Sequence, residues 1–217
     1  MSRLDPQDFV ITRKRKKYKF ALFHNSPLCF ELEEWKNSPP PAVLEMGAGT
    51  GLFSVAQATA SRDKQFLAVD VKADRLQTGA LAAEEKGVAN VRFLRARADQ
   101  LPQLLTAGTL EKIWVTFPDP FPKKRSAKHR LTHPHYLKLY EDLLQRGGSL
   151  YFKTDAKPLF EWSLEQLVGE GWKLEELSFD LHDSTLPESH KVMTTYESRF
   201  VSEGLKVYFV KAAKPAN

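Results

Sequence analysis

Short apolar runs alternate with amphipathic stretches over most of the chain. The runs have the length of single strands, and the stretches between them repeat their apolar positions with helical spacing. We expect strands at residues 42–46, 66–69, 91–94, 113–117 and 149–153. We expect helices at residues 52–60, 73–86, 100–105 and 135–145. Such alternation predicts successive βαβ units, and therefore an α/β, Rossmann-like fold with a mainly parallel sheet and helices on both faces.

The C-terminal part of the chain departs from this alternation. A helix is expected at residues 158–168, because Pro158 suits the first turn of a helix. Two strands are expected at residues 174–181 and 205–211, with no helix of comparable strength between them. These strands are therefore expected to pair antiparallel at the edge of the sheet.

The N-terminal part carries its own signals. A short helix is expected at residues 29–36, and the prolines at residues 39–41 mark the entry to the main domain. We therefore divide the chain into a basic N-terminal extension, residues 1–38, and a main domain, residues 39–217. With 217 residues and 42% hydrophobic content, the chain is large enough to bury a full core.

The cellular compartment is indicated by what the chain contains. Cys29 is the only cysteine, so no intrachain disulfide can form, and we expect this residue to be a small buried apolar side chain. No apolar run approaches the roughly 18 residues of a membrane span, and the N-terminal cations precede no apolar stretch. We expect a cytoplasmic protein that does not contact a membrane.

Positive charge is concentrated in two segments. Residues 13–19 hold six cations and residues 123–130 hold five, with no acid in either segment. The rest of the chain has 21 of the 32 Lys and Arg residues against 27 acids, so the basicity is local. Aromatic and histidine side chains accompany both segments: Tyr18, Phe20, Phe121 and His129. This pattern favours a surface for a nucleic acid, although solvated basic tails are common.

A glycine-rich turn follows the first predicted strand. Gly47 and Gly49 would let the backbone approach a ligand, and Asp70, at the end of the second strand, would bind the hydroxyls of a ribose. Glu45 precedes the turn, where its charge would repel a pyrophosphate and attract the ammonium and sulfonium groups of S-adenosylmethionine. We therefore favour S-adenosylmethionine as the cofactor, with a nicotinamide oxidoreductase as the alternative.

The third predicted strand ends beside the same mouth. Ligands of such sheets lie outside the carboxyl ends of the strands, so the backbone of Arg97 and Ala98 is expected to contact the adenine. These two residues complete the predicted cofactor site.

A carboxylate flanked by prolines ends the fourth predicted strand. Asp119 lies between Pro118 and Pro120, which restrict the backbone to extended geometry and predict a stiff, non-helical platform. Lys123, at the head of the second basic segment, follows closely. A stiff acid beside cations suits a site that recognises a polar ring and holds a polyanion, whereas an ordinary proline-rich turn is the structural alternative.

Together these residues resemble the bacterial tRNA (guanine-N7-)-methyltransferases. The resemblance covers residue 40 to the C-terminus and rests on the following positions: Glu45, Gly47, Gly49, Asp70, Phe117 to Pro120, Lys123 to Arg125, Arg130, Leu131, Thr154, Asp155, Thr194 and Glu197. It implies a seven-stranded class I methyltransferase fold, S-adenosylmethionine as methyl donor and tRNA as substrate. Phe121, Ala127 and Arg97 stand where the family more often has Trp, Asn, and Asp or Asn.

The resemblance also implies a role for each matching residue. Glu45 and Asp70 would contact the cofactor, and Asp119 would be catalytic and border the cofactor. Substrate contacts would come from Lys123, Asp155, Thr194, Thr195, Tyr196 and Glu197. RNA contacts would come from Lys124, Arg125, Lys128, His129 and Arg130. We expect tRNA as the partner and a monomer or weak homodimer.

The implied chemistry is simple. Guanine N7 carries a lone pair and no proton, so its methylation requires alignment rather than a base. A carboxylate such as Asp119 or Asp155 that accepts from guanine N1–H and the exocyclic amine would select guanine and stabilise the charge that develops on the ring.

Several alternatives stay open. Asp155 suits a helix N-cap, and Thr194 with Glu197 has the spacing of a capping box. His133 and His135 lack a third ligand at metal spacing, so no metal site is expected. Besides tRNA methylation, the chain could be a methyltransferase for another substrate, or a non-catalytic RNA-binding protein with the same fold.

Overall fold

The computed structural model describes residues 3–11, 14–37 and 40–216. The strands in these ranges are β1 Cys29–Phe30, β2 Val43–Met46, β3 Phe66–Asp70, β4 Val91–Arg95, β5 Leu110–Thr116, β6 Leu144–Thr154, β7 Lys173–Ser178 and β8 Tyr208–Ala213. The α-helices are α1 Lys14–Asn25, α2 Leu52–Ala60, α3 Ala73–Glu85, α4 Pro134–Leu143, α5 Lys157–Gly169 and α6 Thr195–Ser202. No helix in these ranges is both long and apolar enough to cross a membrane.

One sheet holds all of these strands in the order β1-β4-β3-β2-β5-β6-β8-β7. Every pair from β1 to β6 is parallel, whereas β8 runs antiparallel to both of its neighbours, β6 and β7. The chain winds outward from β2 through β3 to β4, and then returns to place β5 on the other side of β2. The carboxyl ends of β2 and β5 therefore form the crevice where sheets of this kind bind ligands.

Alternation along the central strands fills both faces of the sheet. Leu44 and Leu67 pack into the apolar cluster that contains the side chains of α4 and α5. Val43 and Phe66, one residue earlier in each strand, pack into the cluster that contains those of α2 and α3. Because successive side chains of a strand point to opposite faces, a strand covered on both sides is apolar at most positions, and this is why the runs were visible in the sequence.

Most of the predicted elements are confirmed, and the predicted α/β fold with antiparallel pairing at one edge is correct. The helix expected at residues 100–105 is a 3-10 helix, Ala98–Gln103, with Pro102 inside it. The helix expected to reach residue 145 ends at Leu143, because the chain turns directly into β6 at Leu144. The sheet has one strand more than the expected seven, since β1 pairs with β4.

The helix expected at residues 29–36 is wrong. Cys29 and Phe30 form β1, whose partners in β4 are Phe93 and Leu94, and a 3-10 helix, Leu32–Asn37, follows. The first helix lies earlier, in α1, and covers part of the basic segment. Its buried Ala21 and Phe23 are 3% and 1% exposed, so an apolar face holds α1 against the domain, chiefly against α3.

Candidate active site

A cavity of about 300 Å³ opens at the carboxyl ends of β2, β3 and β5. This volume is at the lower end of the roughly 300–1,000 Å³ typical of small-molecule sites. The residues predicted for the site that line the cavity are Glu45, Gly47, Gly49, Asp70, Arg97, Ala98, Asp119, His129, Thr194 and Tyr196. The fold thus brings together side chains from five separate segments of the sequence.

The turn between β2 and α2 puts bare backbone on the cavity wall. Gly49 has a φ of +56°, and a Cβ added there would meet no atom within 4 Å. Gly51, at the start of α2, has a φ of +70°, and its Cβ would lie 2.5 Å from Cε1 of Phe93. Glycine at the first position leaves the backbone open to a ligand, and glycine at the second lets the turn pack on the core.

Glu45 is the acid at the inner end of the cavity. Its side chain is almost completely buried, yet both oxygens are bonded. Oε2 accepts from Ser54 Oγ at 2.6 Å, and Oε1 accepts from Thr116 Oγ1 at 2.8 Å. Burial raises the pKa of Glu45 to about 7, although these hydrogen bonds and the charge of Lys153 act in the opposite direction. A cationic ligand group would favour the ionised carboxylate.

Asp70 holds the glycine-rich turn from the neighbouring strand. Its Oδ2 accepts from the backbone N–H of Gly49 at 2.9 Å, and its Oδ1 accepts from that of Lys72 at 2.9 Å. Each carboxylate oxygen has a second lone pair, so Asp70 keeps acceptor capacity toward the cavity. The two acids, Glu45 and Asp70, therefore border one end of the space.

Arg97 and Ala98 form the wall after β4. The guanidinium of Arg97 is bonded to the carboxylate of Asp99, with Nε–Oδ1 at 3.0 Å and Nη2–Oδ2 at 3.1 Å. Both side chains of this pair are exposed. Ala98 is buried and begins the 3-10 helix. The charge of Arg97 is therefore partly neutralised where the residue meets the cavity.

Asp119 lies on a backbone with two unusual residues. Phe117 has a φ of +47° and Phe121 a φ of +42°, in the left-handed region that side chains other than glycine rarely occupy. Such residues cost on the order of 1–3 kcal/mol each and persist only where their surroundings fix them. Asp119 itself is exposed and lines the cavity. The predicted stiff platform at the strand end is thus present, held by left-handed residues as well as by prolines.

Arg130 fixes the far side of this loop. Its Nε donates to the carbonyl of Pro120 at 3.2 Å and its Nη2 to that of Phe121 at 3.0 Å. Its guanidinium lies 4.4 Å from the ring centroid of Trp162. Arg130 therefore supports the loop in the absence of RNA, and its predicted RNA contact stays a prediction.

The other cations of the second basic segment face solvent. A 3-10 helix, Lys124–His129, carries them beside the cavity, and the exposed members are Lys123, Lys124, Arg125 and Lys128. His129 is exposed and lines the cavity, with its ring 5.7 Å from that of Phe121. These exposed cations can therefore contact a large anion that reaches the mouth of the cavity.

Asp155 follows β6 at the same edge of the sheet. It is exposed but does not line the cavity. The alternative role as a helix N-cap is wrong, since Ala156 occupies the N-cap position of α5 and its N–H is bonded by Thr154 Oγ1 at 3.1 Å. Asp155 is therefore available to a ligand larger than the cavity.

The start of α6 forms the last wall. Thr194 and Tyr196 line the cavity, and the side chain of Thr195 lies outside the described residues. The capping box is present: Thr194 Oγ1 accepts from the N–H of Glu197 at 3.0 Å, and Glu197 Oε2 accepts from the N–H of Thr194 at 3.0 Å. Glu197 is completely buried and does not line the cavity, so the expectation of direct substrate contact gives way to a supporting position.

Three residues that hold the site were not predicted. Ser54 and Thr116 bond Glu45 from α2 and β5, and nothing in their local sequence distinguishes them from ordinary hydroxyl residues. Lys153 is completely buried and pairs with Glu197 at 2.7 Å. A signal for Lys153 existed, because a lysine inside the apolar run of β6 is out of place in a strand that is covered on both faces.

Comparisons with known proteins agree with this arrangement. A family profile described as "Putative methyltransferase" matches residues 39–210. A protein of Brevibacillus brevis named tRNA (guanine-N(7)-)-methyltransferase is 35% identical over 198 residues, which cover 90% of this chain and 92% of that protein. A protein of the same name from Bacillus subtilis is 35% identical over 168 residues, or 77% of this chain and 78% of that protein.

Solved structures show the same fold at lower sequence similarity. The crystal structure of the 16S rRNA methyltransferase KamB superposes with a TM-score of 0.63 at 20% identity, and the match covers 85% of this chain and 92% of that one. At this identity the likeness establishes the Rossmann-like methyltransferase fold and nothing about the substrate.

Proposed function

Because the chain belongs to the family of tRNA (guanine-N7-)-methyltransferases, we propose that it methylates N7 of a guanine in tRNA, with S-adenosylmethionine as the methyl donor. The observation that carries the proposal is one cavity with two acids at its inner end and a third acid, Asp119, on a fixed loop at its mouth. The exposed cations of residues 123–128 adjoin that mouth.

The inner end of the cavity fits the donor. Glu45 is buried, and burial raises its pKa more than its hydrogen bonds and Lys153 lower it, so an added positive charge would favour the ionised carboxylate. An ammonium group is the partner this carboxylate lacks. Asp70 has free lone pairs for ribose hydroxyls, and the bare backbone at Gly49 leaves room beside it. When bound, S-adenosylmethionine supplies an electrophilic methyl group on its sulfonium.

The mouth of the cavity suits the acceptor. Asp119 accepts hydrogen bonds from the N1–H and amino group of guanine, a pattern that adenine does not offer. As positive charge develops on the ring, the same carboxylate stabilises it. No side chain has to remove a proton from N7, so no general base is assigned. Tyr196, half exposed and lining the same cavity, offers a ring face on which a base stacks.

Alignment is the main contribution of the protein to the rate. Holding two reactants in line lowers a barrier by about 7–11 kcal/mol when the geometry is fixed in advance. The left-handed residues on either side of Asp119, together with the hydrogen bonds of Arg130 to their loop, restrict this acid before any substrate arrives. The phosphates that flank the target base are held by Lys123, Lys124 and Arg125. Asp155, which follows β6 at the carboxyl ends of the strands, adds a further polar contact.

The experiment uses the full chain, S-adenosylmethionine with a labelled methyl group and bulk tRNA. We expect label in the tRNA, and strand cleavage at the labelled guanine after treatment with borohydride and aniline. Asp119→Asn is the test variant, because it keeps the size of the side chain and removes its charge. It should bind tRNA as the wild type does and transfer little label.

Two results would overturn the proposal. Binding of tRNA without any transfer of label would indicate a non-catalytic RNA-binding protein. Transfer to a protein or a small molecule, unaffected by replacing Lys123, Lys124 and Arg125 with alanine, would indicate a methyltransferase of different specificity.

A further inference from the structure

Lys153 is the most deeply buried cation among the described residues. It lies in β6 with its side chain fully inaccessible to solvent. Its Nζ donates to Glu197 Oε2 at 2.7 Å, to the carbonyl of Val192 at 2.7 Å and to that of His190 at 3.5 Å. An ammonium group has three N–H donors, so these acceptors account for all of them. The protein has built a complete site for this cation.

The ion pair is not explained by stability alone. Removing two charges from water costs several kcal/mol per ion, and apolar replacements of such pairs are often neutral or stabilising. Burial lowers the pKa of Lys153, and the charges of Glu197 and Glu45 act against that effect. The pair therefore needs a reason beyond the free energy of folding.

The position of Glu197 supplies that reason. Its Oε1 is bonded to His182 Nε2 at 2.9 Å, and its Oε2 receives both Lys153 and the backbone N–H of Thr194. Glu197 thus anchors the first turn of α6, from which Thr194 and Tyr196 reach the cavity. At its other end the network reaches Glu45 through an electrostatic interaction: the positive charge of Lys153 acts on this carboxylate at the inner end of the same cavity.

We propose that Lys153 is a positioning residue that fixes the acceptor side of the cavity, Thr194 and Tyr196, relative to the donor side at Glu45. It touches neither reactant. It acts through Glu197, which it holds between β6 and the N-terminus of α6. This inference rests on the proposed function, because it assigns the two sides of the cavity to the acceptor and the donor.

The test separates positioning from stability. Lys153→Met alone leaves a buried, unpaired Glu197 and is expected to lower the melting temperature. The double variant Lys153→Met/Glu197→Leu removes both charges and is expected to regain most of the melting temperature. It does not regain the anchor for Thr194, so methyl transfer should stay slow: kcat should fall about 10- to 100-fold, and the KM for tRNA should rise several-fold.

The donor side serves as the internal reference. Losing the charge of Lys153 raises the pKa of Glu45, so the affinity for S-adenosylhomocysteine is measured as a function of pH. Once the pH is high enough for Glu45 to be ionised in both proteins, the affinity of the double variant should stay within about threefold of the wild type. Lys211→Met is the matched control: Lys211 lies in β8 beside β6, pairs with Glu175 at 2.9 Å and Glu176 at 3.3 Å, and does not line the cavity. Its kcat and KM should match the wild type.

The outcomes are distinct. If the double variant regains both the melting temperature and wild-type kinetics, Lys153 is only structural and the inference is wrong. If the wild type transfers no methyl group to tRNA, the proposed function fails. In that case tRNA binding decides the inference about Lys153. The inference is wrong if the double variant binds tRNA as tightly as the wild type. It holds for tRNA binding if the double variant binds tRNA more weakly.

Discussion

Two regions that meet at the cavity are held in opposite ways. The buried charge network, defined by Glu45, Lys153, His182 and Glu197, is held by side chains: each member has bonded or charged partners from other elements, and three of the four are almost fully buried. The Asp119 loop, residues 117–130, is largely exposed and is held by its backbone and by Arg130.

The difference indicates what each region can tolerate. In the buried charge network, removing one partner leaves a charge without water or a counter-ion, so the fold itself loses stability. In the Asp119 loop, most side chains are exposed to water, so a substitution there leaves no buried charge unpaired and the fold stays intact. Only the function of the replaced side chain is lost. Stability and turnover should therefore separate when the two regions are changed in turn.

The largest effect is expected in the buried charge network. Lys153→Met should lower the free energy of unfolding by about 3–5 kcal/mol, because Glu197 stays buried without its cation. Arg199→Ala, which removes the exposed pair of Arg199 with Glu203 within α6, should lower it by less than about 1 kcal/mol. Denaturation in urea measures both. Equal losses would mean that burial does not distinguish the two pairs.

The next effect is expected in the Asp119 loop. Asp119→Ala should lower kcat about 100- to 1,000-fold, as loss of a group that stabilises developing charge does elsewhere. The melting temperature and the dissociation constant for tRNA should change little, because the side chain is exposed and acts at the reacting base. Single-turnover methylation and filter binding measure these quantities, and a parallel loss of binding and turnover would contradict the assigned role.

The pH dependence of cofactor binding should report the ionisation of Glu45. The pKa of Glu45 is raised to about 7, so the ionised fraction grows as pH rises to that value, and an ammonium ligand requires the ionised form. Affinity for S-adenosylhomocysteine should rise by up to about tenfold per pH unit from about pH 5.5 and level off above about pH 7. Calorimetry measures this profile. Glu45→Gln should give weaker binding and a flat profile, and a steep profile in that variant would assign the titration to another group.

The smallest effect is expected from the exposed cations. Replacing Lys123, Lys124 and Arg125 by alanine should weaken tRNA binding and lower the slope of log affinity against log salt by about two to three. The matched control replaces Lys86, Arg146 and Lys173, which are also exposed but lie at the amino ends of the strands, away from the cavity. An identical slope change in both triple variants would show that only net charge matters.

Much of the fold was readable because burial on two faces leaves a local trace. Strands β2 to β6 are mostly apolar over the part covered by helices, with charged exceptions such as Glu45 and Lys153, and the helix over residues 52–60 was predicted with its observed bounds. Helix α1 was missed because Ala21 and Phe23 follow a dense run of cations. Only its packing against α3 identifies the apolar face, and a single sequence does not contain that contact.

The sequence predicted the site residues whose chemistry follows from their residue type and their place at a strand end. It did not predict roles that depend on contacts made in the tertiary structure. Glu45, Asp70 and Asp119 lie at or just after the carboxyl ends of strands, so the fold class alone places them around one crevice. Glu197 was expected to bind substrate, but it is buried and its partner Lys153 comes from β6. Arg130 was expected to contact RNA, and the sequence did not show that its guanidinium also bonds the carbonyls of its own loop. Spacing along the chain cannot distinguish a residue that touches a ligand from one that supports it.

The left-handed backbone at Phe117 and Phe121 has a consequence for engineering. Glycine at either position would relieve conformational strain, but at Phe117 it would also remove a ring that packs on the apolar core and stacks 6.0 Å from Phe200, so that substitution should not raise stability. At Phe121, glycine would also loosen the backbone that carries Asp119. Stabilising substitutions are therefore better sought away from this loop, at the amino ends of the strands.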